Sequence, residues 1–149
     1  MKTVRKTSIF PVPRDVVIKK LQQLETLQYI ASPYASFVPL DNRESFIWTV
    51  GSTSSYRLKL FGVIPFGIHT IKIERFDEET VRSSEGNRFV PLWIHKIYLK
   101  NNGTQTEYTD EVDIDAGWKT IFVWLWAKSF YSHRQRRWLK LLKSDLLVK

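Results

Sequence analysis

From Ala116 to Leu147 the chain runs without a proline and with a single glycine, Gly117, and no other stretch limits the fold as much. Such a run reads as one long helix. Placed at 100° per residue, Trp124, Tyr131, Trp138, Leu139, Leu142 and Leu146 fall on one face. His133, Arg136, Arg137, Lys140 and Lys143 fall mostly on the other. The first half differs, because Ile121 to Trp126 is apolar all round. A helix wetted on one side has no use for that, so this half is expected to be surrounded by sheet, by a guest molecule or by a partner.

The rest of the chain is mostly strand-like. Lys2 to Phe10 reads as a first strand that stops at Pro11. Val16, Val17, Leu21 and Leu24 then repeat at helical spacing, with Pro13 and Asp15 suited to a first turn. A second short helix is predicted over Thr26 to Ala31, ending before Pro33. Six strands follow, at Ser45 to Val50, Ser55 to Leu60, Gly67 to Phe76, Thr80 to Ser84, Leu92 to Lys100 and Thr104 to Ile114. Their connections are too short for parallel crossovers, so they are expected to pair as consecutive antiparallel neighbours, with the first strand joining by a longer connection.

The 149 residues contain no repeat, no low-complexity tract and no Pro/Gly/Ser-rich linker, so residues 1–149 read as one domain. With 43% hydrophobic residues, the chain has the apolar surface to fold alone. The absence of cysteine removes disulfides, thiolate nucleophiles and Cys-based zinc sites together, and fits a reducing cytoplasm. The cations of Met1 to Lys6 are followed by an apolar stretch broken at Pro11, which is no signal-peptide core. The run Ile121 to Ala127 falls far short of the roughly 20 residues that cross a bilayer, so the chain reads as cytoplasmic and non-spanning. A net charge of +8 favours anionic partners without choosing among nucleic acid, acidic lipid and small anions.

The order of strand, two short helices, six strands and long helix resembles the START-like superfamily, also called the polyketide cyclase or SRPBCC group. The resemblance runs from about Thr3 to Leu147. At one end Ser8-Ile9-Phe10-Pro11-Val12-Pro13, with Val16, Val17 and Leu21, looks like that group's opening strand, proline-containing joint and first helix. At the other, Phe130, Arg134, Leu139 and Leu142 look like its closing helix. The resemblance implies an α+β helix-grip fold: a curved antiparallel sheet of about seven strands wrapped around the C-terminal helix, with a cavity between them. Relatives use that cavity for lipids, sterols, polyketides and other apolar molecules, and enzymes form a minority of branches. The group has no invariant catalytic motif, so function must come from the pocket.

Strand alternation sorts the pocket candidates, because residues two apart share a sheet face. Tyr56, Leu58 and Leu60 align; so do His69, Ile71 and Ile73; so do Trp93, His95, Ile97 and Leu99; and so do Tyr108, Asp110 and Val112. The concave face is expected to carry these sets. That would put His69, His95, Asp110 and two tyrosines among apolar neighbours, where ionisation shifts and unpaired polar atoms are costly. The residues expected to line a ligand site are Trp48, Tyr56, Leu58, His69, Ile71, Trp93, His95, Tyr108, Asp110, Phe122, Trp126 and Phe130. Helical phase leaves open whether Phe122, Trp126 and Phe130 or the Trp124 and Tyr131 face points inward.

Nothing in the spacing fixes a nucleophile or a base beside a reacting atom, so no catalytic residue is assigned. Neither a metal-binding His pair on a helix nor a phosphate-binding glycine loop is present, and no metal or cofactor is assigned. The residues favour a binding or carrier protein for one small apolar or amphipathic molecule. The alternatives are a cyclase, aromatase or hydrolase of the same group, and a peripheral module. In the latter Arg134, Arg136, Arg137, Lys140 and Lys143 would contact an anionic membrane surface or a partner. Nucleic acid has charge alone behind it, since no recognised module is visible.

Overall fold

The structure is a computed structural model that describes residues 1–40 and 49–147, the side chains of 145–147 excepted. Strand β1 (Lys2–Phe10) ends at Pro11, and helices α1 (Arg14–Leu21) and α2 (Leu24–Ala31) follow. Pro13 caps α1 and Asp15 lies in its first turn, where a carboxylate opposes the positive end of the helix dipole. Next come β2 (Ala35–Pro39), β3 (Thr53–Leu60), β4 (Ile64–Phe76), β5 (Thr80–Gly86), β6 (Leu92–Asn102) and β7 (Gln105–Asp115). A short turn of 3-10 helix at Gly117–Lys119 leads into α3 (Thr120–Leu147).

The strands form one seven-stranded antiparallel sheet in the order β1-β7-β6-β5-β4-β3-β2. This is the expected meander, with β1 returning to the outer edge of β7. Short hairpins enforce it. Between β6 and β7, Gly103 sits at φ 69° beside the Asn102–Gln105 pair, a left-handed conformation that tight hairpin turns need and glycine adopts without strain. Register shifts between Arg57 and Lys59 on β3, and between Ile73 and Arg75 on β4, mark bulges that bend the sheet.

One strand lies elsewhere than expected. The predicted Ser45 to Val50 strand falls mostly outside the described residues, and its described end, Thr49 and Val50, is not strand. The seventh strand is instead β2, five residues long, with Ala35 and Phe37 buried and Val38 exposed. It is an edge strand, which tolerates Pro39 at its end.

The concave face carries the alternation sets. Tyr56 and Leu58, His69 with Ile71 and Ile73, Trp93 with His95 and Ile97, and Tyr108 with Asp110 and Val112 are all buried. Helix α3 lies over that face and presents Ala127, Phe130, Tyr131, Arg134, Gln135, Trp138 and Leu142 to it. Gln135 pins the helix: its amide nitrogen donates to the Lys6 carbonyl (2.7 Å) and to Asp110 Oδ2 (3.0 Å), and its oxygen accepts from Ser8 (2.6 Å). Trp138 is sealed between Phe10 and Tyr108, with ring centroids at 5.4 and 5.7 Å.

One expectation about α3 needs correction. Arg134 is not a surface cation. It points inward, because the helical repeat that buries Ala127, Phe130 and Trp138 carries position 134 along with them. The apolar N-terminal half is covered by the sheet on one side only, leaving Ile121, Phe122 and Leu125 exposed.

Candidate functional site

Between sheet and helix lies a cavity of about 270 Å³, close to the lower end of the roughly 300–1,000 Å³ usual for small-molecule sites. Its apolar wall comes from α2, β2, β3, β4, β6 and α3, and includes Leu27, Ile30, Phe37, Leu58, Ile71, Trp93, Trp126 and Phe130. Aromatic contacts stiffen that wall. Trp126 stacks on Phe130 at 4.7 Å, and Trp93 meets Trp126 at 6.4 Å and Tyr131 at 6.2 Å. Phe122 also faces the cavity but is 64% exposed, which puts it at the mouth.

A polar strip crosses this wall. Ser83, Glu85 and Asn87 of the β5 segment, His69 of β4, His95 of β6 and Arg134 of α3 all face the cavity. His69 Nε2 donates to Glu85 Oε1 at 2.8 Å. The Asn87 oxygen is taken by the backbone N–H groups of Phe89 and Val90, so its nitrogen faces His69 Nδ1 (3.1 Å), which accepts. Ser83 donates to Glu85 Oε2 at 2.7 Å, and His95 Nδ1 lies 3.6 Å from the same oxygen. His95 Nε2 donates to Asp110 Oδ1 at 2.6 Å, which also accepts from Tyr108 at 3.2 Å.

The chain His69–Glu85–His95–Asp110–Gln135 is therefore continuous, buried and supplied with partners from end to end. Burial opposes the negative charge on Glu85 and Asp110, yet a hydrogen bond from His69 and the ion pair with His95 on Glu85, and a hydrogen bond from His95 on Asp110, hold both carboxyls below their ordinary pKa values. Burial likewise opposes the His95 cation, but Asp110 and Glu85 on its two nitrogens outweigh that and raise its pKa. Burial drives the phenols of Tyr108 and Tyr131 well above their usual range, so both stay protonated: Tyr108 donates to Asp110 and Tyr131 accepts from the Trp93 indole N–H.

Arg134 is the exception. Only 6% exposed, it lies under the rings of Phe130 and Tyr131 at 5.7 and 5.2 Å, and its Nε has no partner. Among the described residues, no acceptor is hydrogen-bonded to its guanidinium and no carboxylate forms an ion pair with it.

Of the residues named from sequence, Leu58, His69, Ile71, Trp93, His95, Phe122, Trp126 and Phe130 lie on the cavity wall. Trp48 is outside the described residues. Tyr56, Tyr108 and Asp110 are buried on the expected face but off the wall. Tyr108 stacks on Phe10 at 4.5 Å beneath the far half of α3, and Asp110 stands behind His95. Alternation gives the face of a strand residue but not its height along the strand. The open question of helix phase resolves to both sets in part: Trp126, Phe130 and Tyr131 face inward, and Phe122 borders the mouth. Trp124 turns aside and donates its indole N–H to the Thr3 carbonyl at 2.9 Å.

Glu85 and Arg134 were missed. Glu85 is in phase with Val81 and Ser83, so carrying β5 one residue further would have found it. Arg134 shares a helical stripe with Phe130, Tyr131 and Trp138, but its charge suggested solvent. Among the described residues, no three His, Asp or Glu side chains are arranged to hold a metal ion.

A bent antiparallel sheet gripping a long helix around an apolar cavity with one polar strip defines a helix-grip protein. No family model matches the sequence, and no curated protein does. Solved structures match over nearly the whole chain. A START superfamily protein from Mycobacterium smegmatis superposes with a TM-score of 0.73 at 10% identity, over 95% of this chain and 97% of that one. The Aha1 dimer from Colwellia psychrerythraea gives 0.68 at 12%, over 95% and 96%. DynU16, a protein in the dynemicin biosynthetic locus, gives 0.64 at 14%, over 97% of this chain and 48% of that one. At such identities the likeness is one of fold, and the fold is START-like.

Proposed function

We propose that this protein binds and carries one small apolar or amphipathic molecule in the cavity between sheet and α3. The observation that supports this best is the wall itself: mainly hydrophobic and aromatic, with a few fixed polar groups gathered in one strip. Both ring nitrogens of His69 and of His95 already face protein groups, so neither imidazole offers a guest a free proton or lone pair. That arrangement suits orientation of a guest better than acid–base turnover.

The outward stripe of α3 supports a place for loading. Ile121, Phe122 and Leu125 are exposed at its start, next to Trp118, which is 80% exposed. Arg136, Lys140 and Lys143 continue the same side further along, since multiples of about 3.6 residues from Phe122 bring each back to nearly its angle. An apolar end followed by a basic end fits the surface of an anionic membrane, with the cavity mouth at the apolar end. Arg134 takes no part, and Arg137 is held by the Tyr29 carbonyl and ring.

Native mass spectrometry of protein purified from its own host tests the carrier reading. The expected result is a one-to-one adduct with an apolar compound, lost on organic extraction. Added back at 100 times its dissociation constant, that compound should stabilise the fold by about 2.7 kcal/mol. For a chain of this size this amounts to a rise of roughly 5–10 °C in Tm. A bare mass, together with no thermal shift from any of a panel of apolar probes, overturns the reading.

A further inference from the structure

Resting on the carrier reading, we infer that the guest is an amphiphile with a carboxylate head, and that Arg134 receives that head. The argument starts from hydrogen-bond accounting. Buried polar groups are almost always paired, and an unpaired one calls for an explanation. Every charged partner on the polar strip is satisfied within the protein except this one. Glu85 has His69 and Ser83 on its two oxygens, and Asp110 has His95 and Tyr108 on one oxygen and Gln135 on the other. Arg134 faces the cavity, is more than nine-tenths buried, lies over the faces of Phe130 and Tyr131 with its Nε unpartnered, and feels Asp110 and Glu85 only through space.

A guanidinium has five N–H donors and no acceptor, so the group that completes it must be an acceptor. Its planar fork matches a carboxylate, which can take two parallel hydrogen bonds at once. Apart from the polar strip the wall is mainly apolar, and on it Trp126 and Phe122 stand eight and twelve residues back along α3. At 1.5 Å per residue those positions are roughly 12 and 18 Å from Arg134, the span of a medium-length hydrocarbon tail. The geometry thus orders the guest: head at Arg134 inside, tail running toward Phe122.

The alternative account of Arg134 is that it only balances the buried carboxylates through space, and the experiment separates the two. Binding of dodecanoate, methyl dodecanoate and 1-dodecanol at pH 8 is followed by fluorescence, with Trp93 and Trp126 on the cavity wall as reporters. The acid is expected to bind at least about tenfold more tightly than the ester or the alcohol, the margin of a charge-assisted hydrogen bond. Arg134→Met should bring the acid down to the level of the other two, and Arg134→Lys should restore part of the gap. Equal affinity for all three in the wild type overturns the carboxylate head and leaves the apolar cavity intact, and so does a gap that survives Arg134→Met. Binding of none of the three overturns the carrier reading for such amphiphiles and this inference with it. The wild-type comparison decides even where Arg134→Met does not fold.

Discussion

At the scale of single residues, the cluster built on His95 makes stability depend on pH from both sides. Asp110 and Glu85 have pKa values below the ordinary 3.8 and 4.5, so what they contribute is present above those values and lost as pH falls through the lower, folded-state values. His95 is raised above its ordinary 6.5, so its contribution is complete below 6.5 and lost as pH rises through the folded-state value. Thermal stability should therefore peak between about pH 4.5 and 6.5 and decline on either side. His95→Gln leaves two buried carboxylates without their shared cation and should cost about 3–5 kcal/mol, while removing most of the alkaline decline. Melting curves from pH 3 to 9 on both proteins check this; an alkaline slope that is the same in the variant would show that another group sets it. His95 and Asp110 were legible in sequence as polar residues on an apolar face. Their pairing was not, because it depends on the β6–β7 register, in which His95 stands opposite Val112 and Ile97 opposite Asp110, a diagonal that alternation alone does not fix.

At the scale of elements, α3 divides into an anchor and a rim. The long helix itself, both short helices and six of the seven strands followed from periodicity, proline positions and turns, since each of these signals is local. β2 did not, being short, on an edge and close to Pro33 and Pro39, so that its alternation extends over only a few residues. Nor did the division within α3, because an apolar run does not say which of its sides the sheet will cover. The anchor half carries Trp138, fully buried against Phe10 and Tyr108, and the rim half carries Phe122 at the mouth. Trp138→Ala should then destabilise by about 3–5 kcal/mol, with a cavity that the stacked rings cannot collapse into. Phe122→Ala should shift stability by no more than about 0.5 kcal/mol but weaken guest binding. Urea denaturation of both variants measures the contrast, and similar midpoints for the two would remove it.

At the scale of the whole molecule, the proposed carrier role requires a route by which an apolar guest would reach the cavity of a chain that carries +8. Among the described residues no helix is long and apolar enough to cross a membrane, so contact with a bilayer through these helices would be made at its surface. Exposed apolar groups at the start of α3 and cations further along its outer side supply the two attractions such contact uses, insertion of rings and pairing with anionic headgroups. They differ in their response to salt. Binding to phosphatidylserine-containing vesicles should weaken as salt rises, because the Debye length shortens from about 10 Å at 0.1 M to about 3 Å at 1 M. Lys140→Glu with Lys143→Glu should abolish that salt-sensitive part. Trp118→Ser with Phe122→Ser should instead reduce binding at every salt concentration, each ring being worth about 1.5–3 kcal/mol when fully buried, or roughly tenfold or more in affinity. Flotation of the wild type and the two double variants at low and high salt resolves the two contributions. Should both variants float with the vesicles as the wild type does, the outer side of α3 is not the contact, and the guest reaches the cavity by another route.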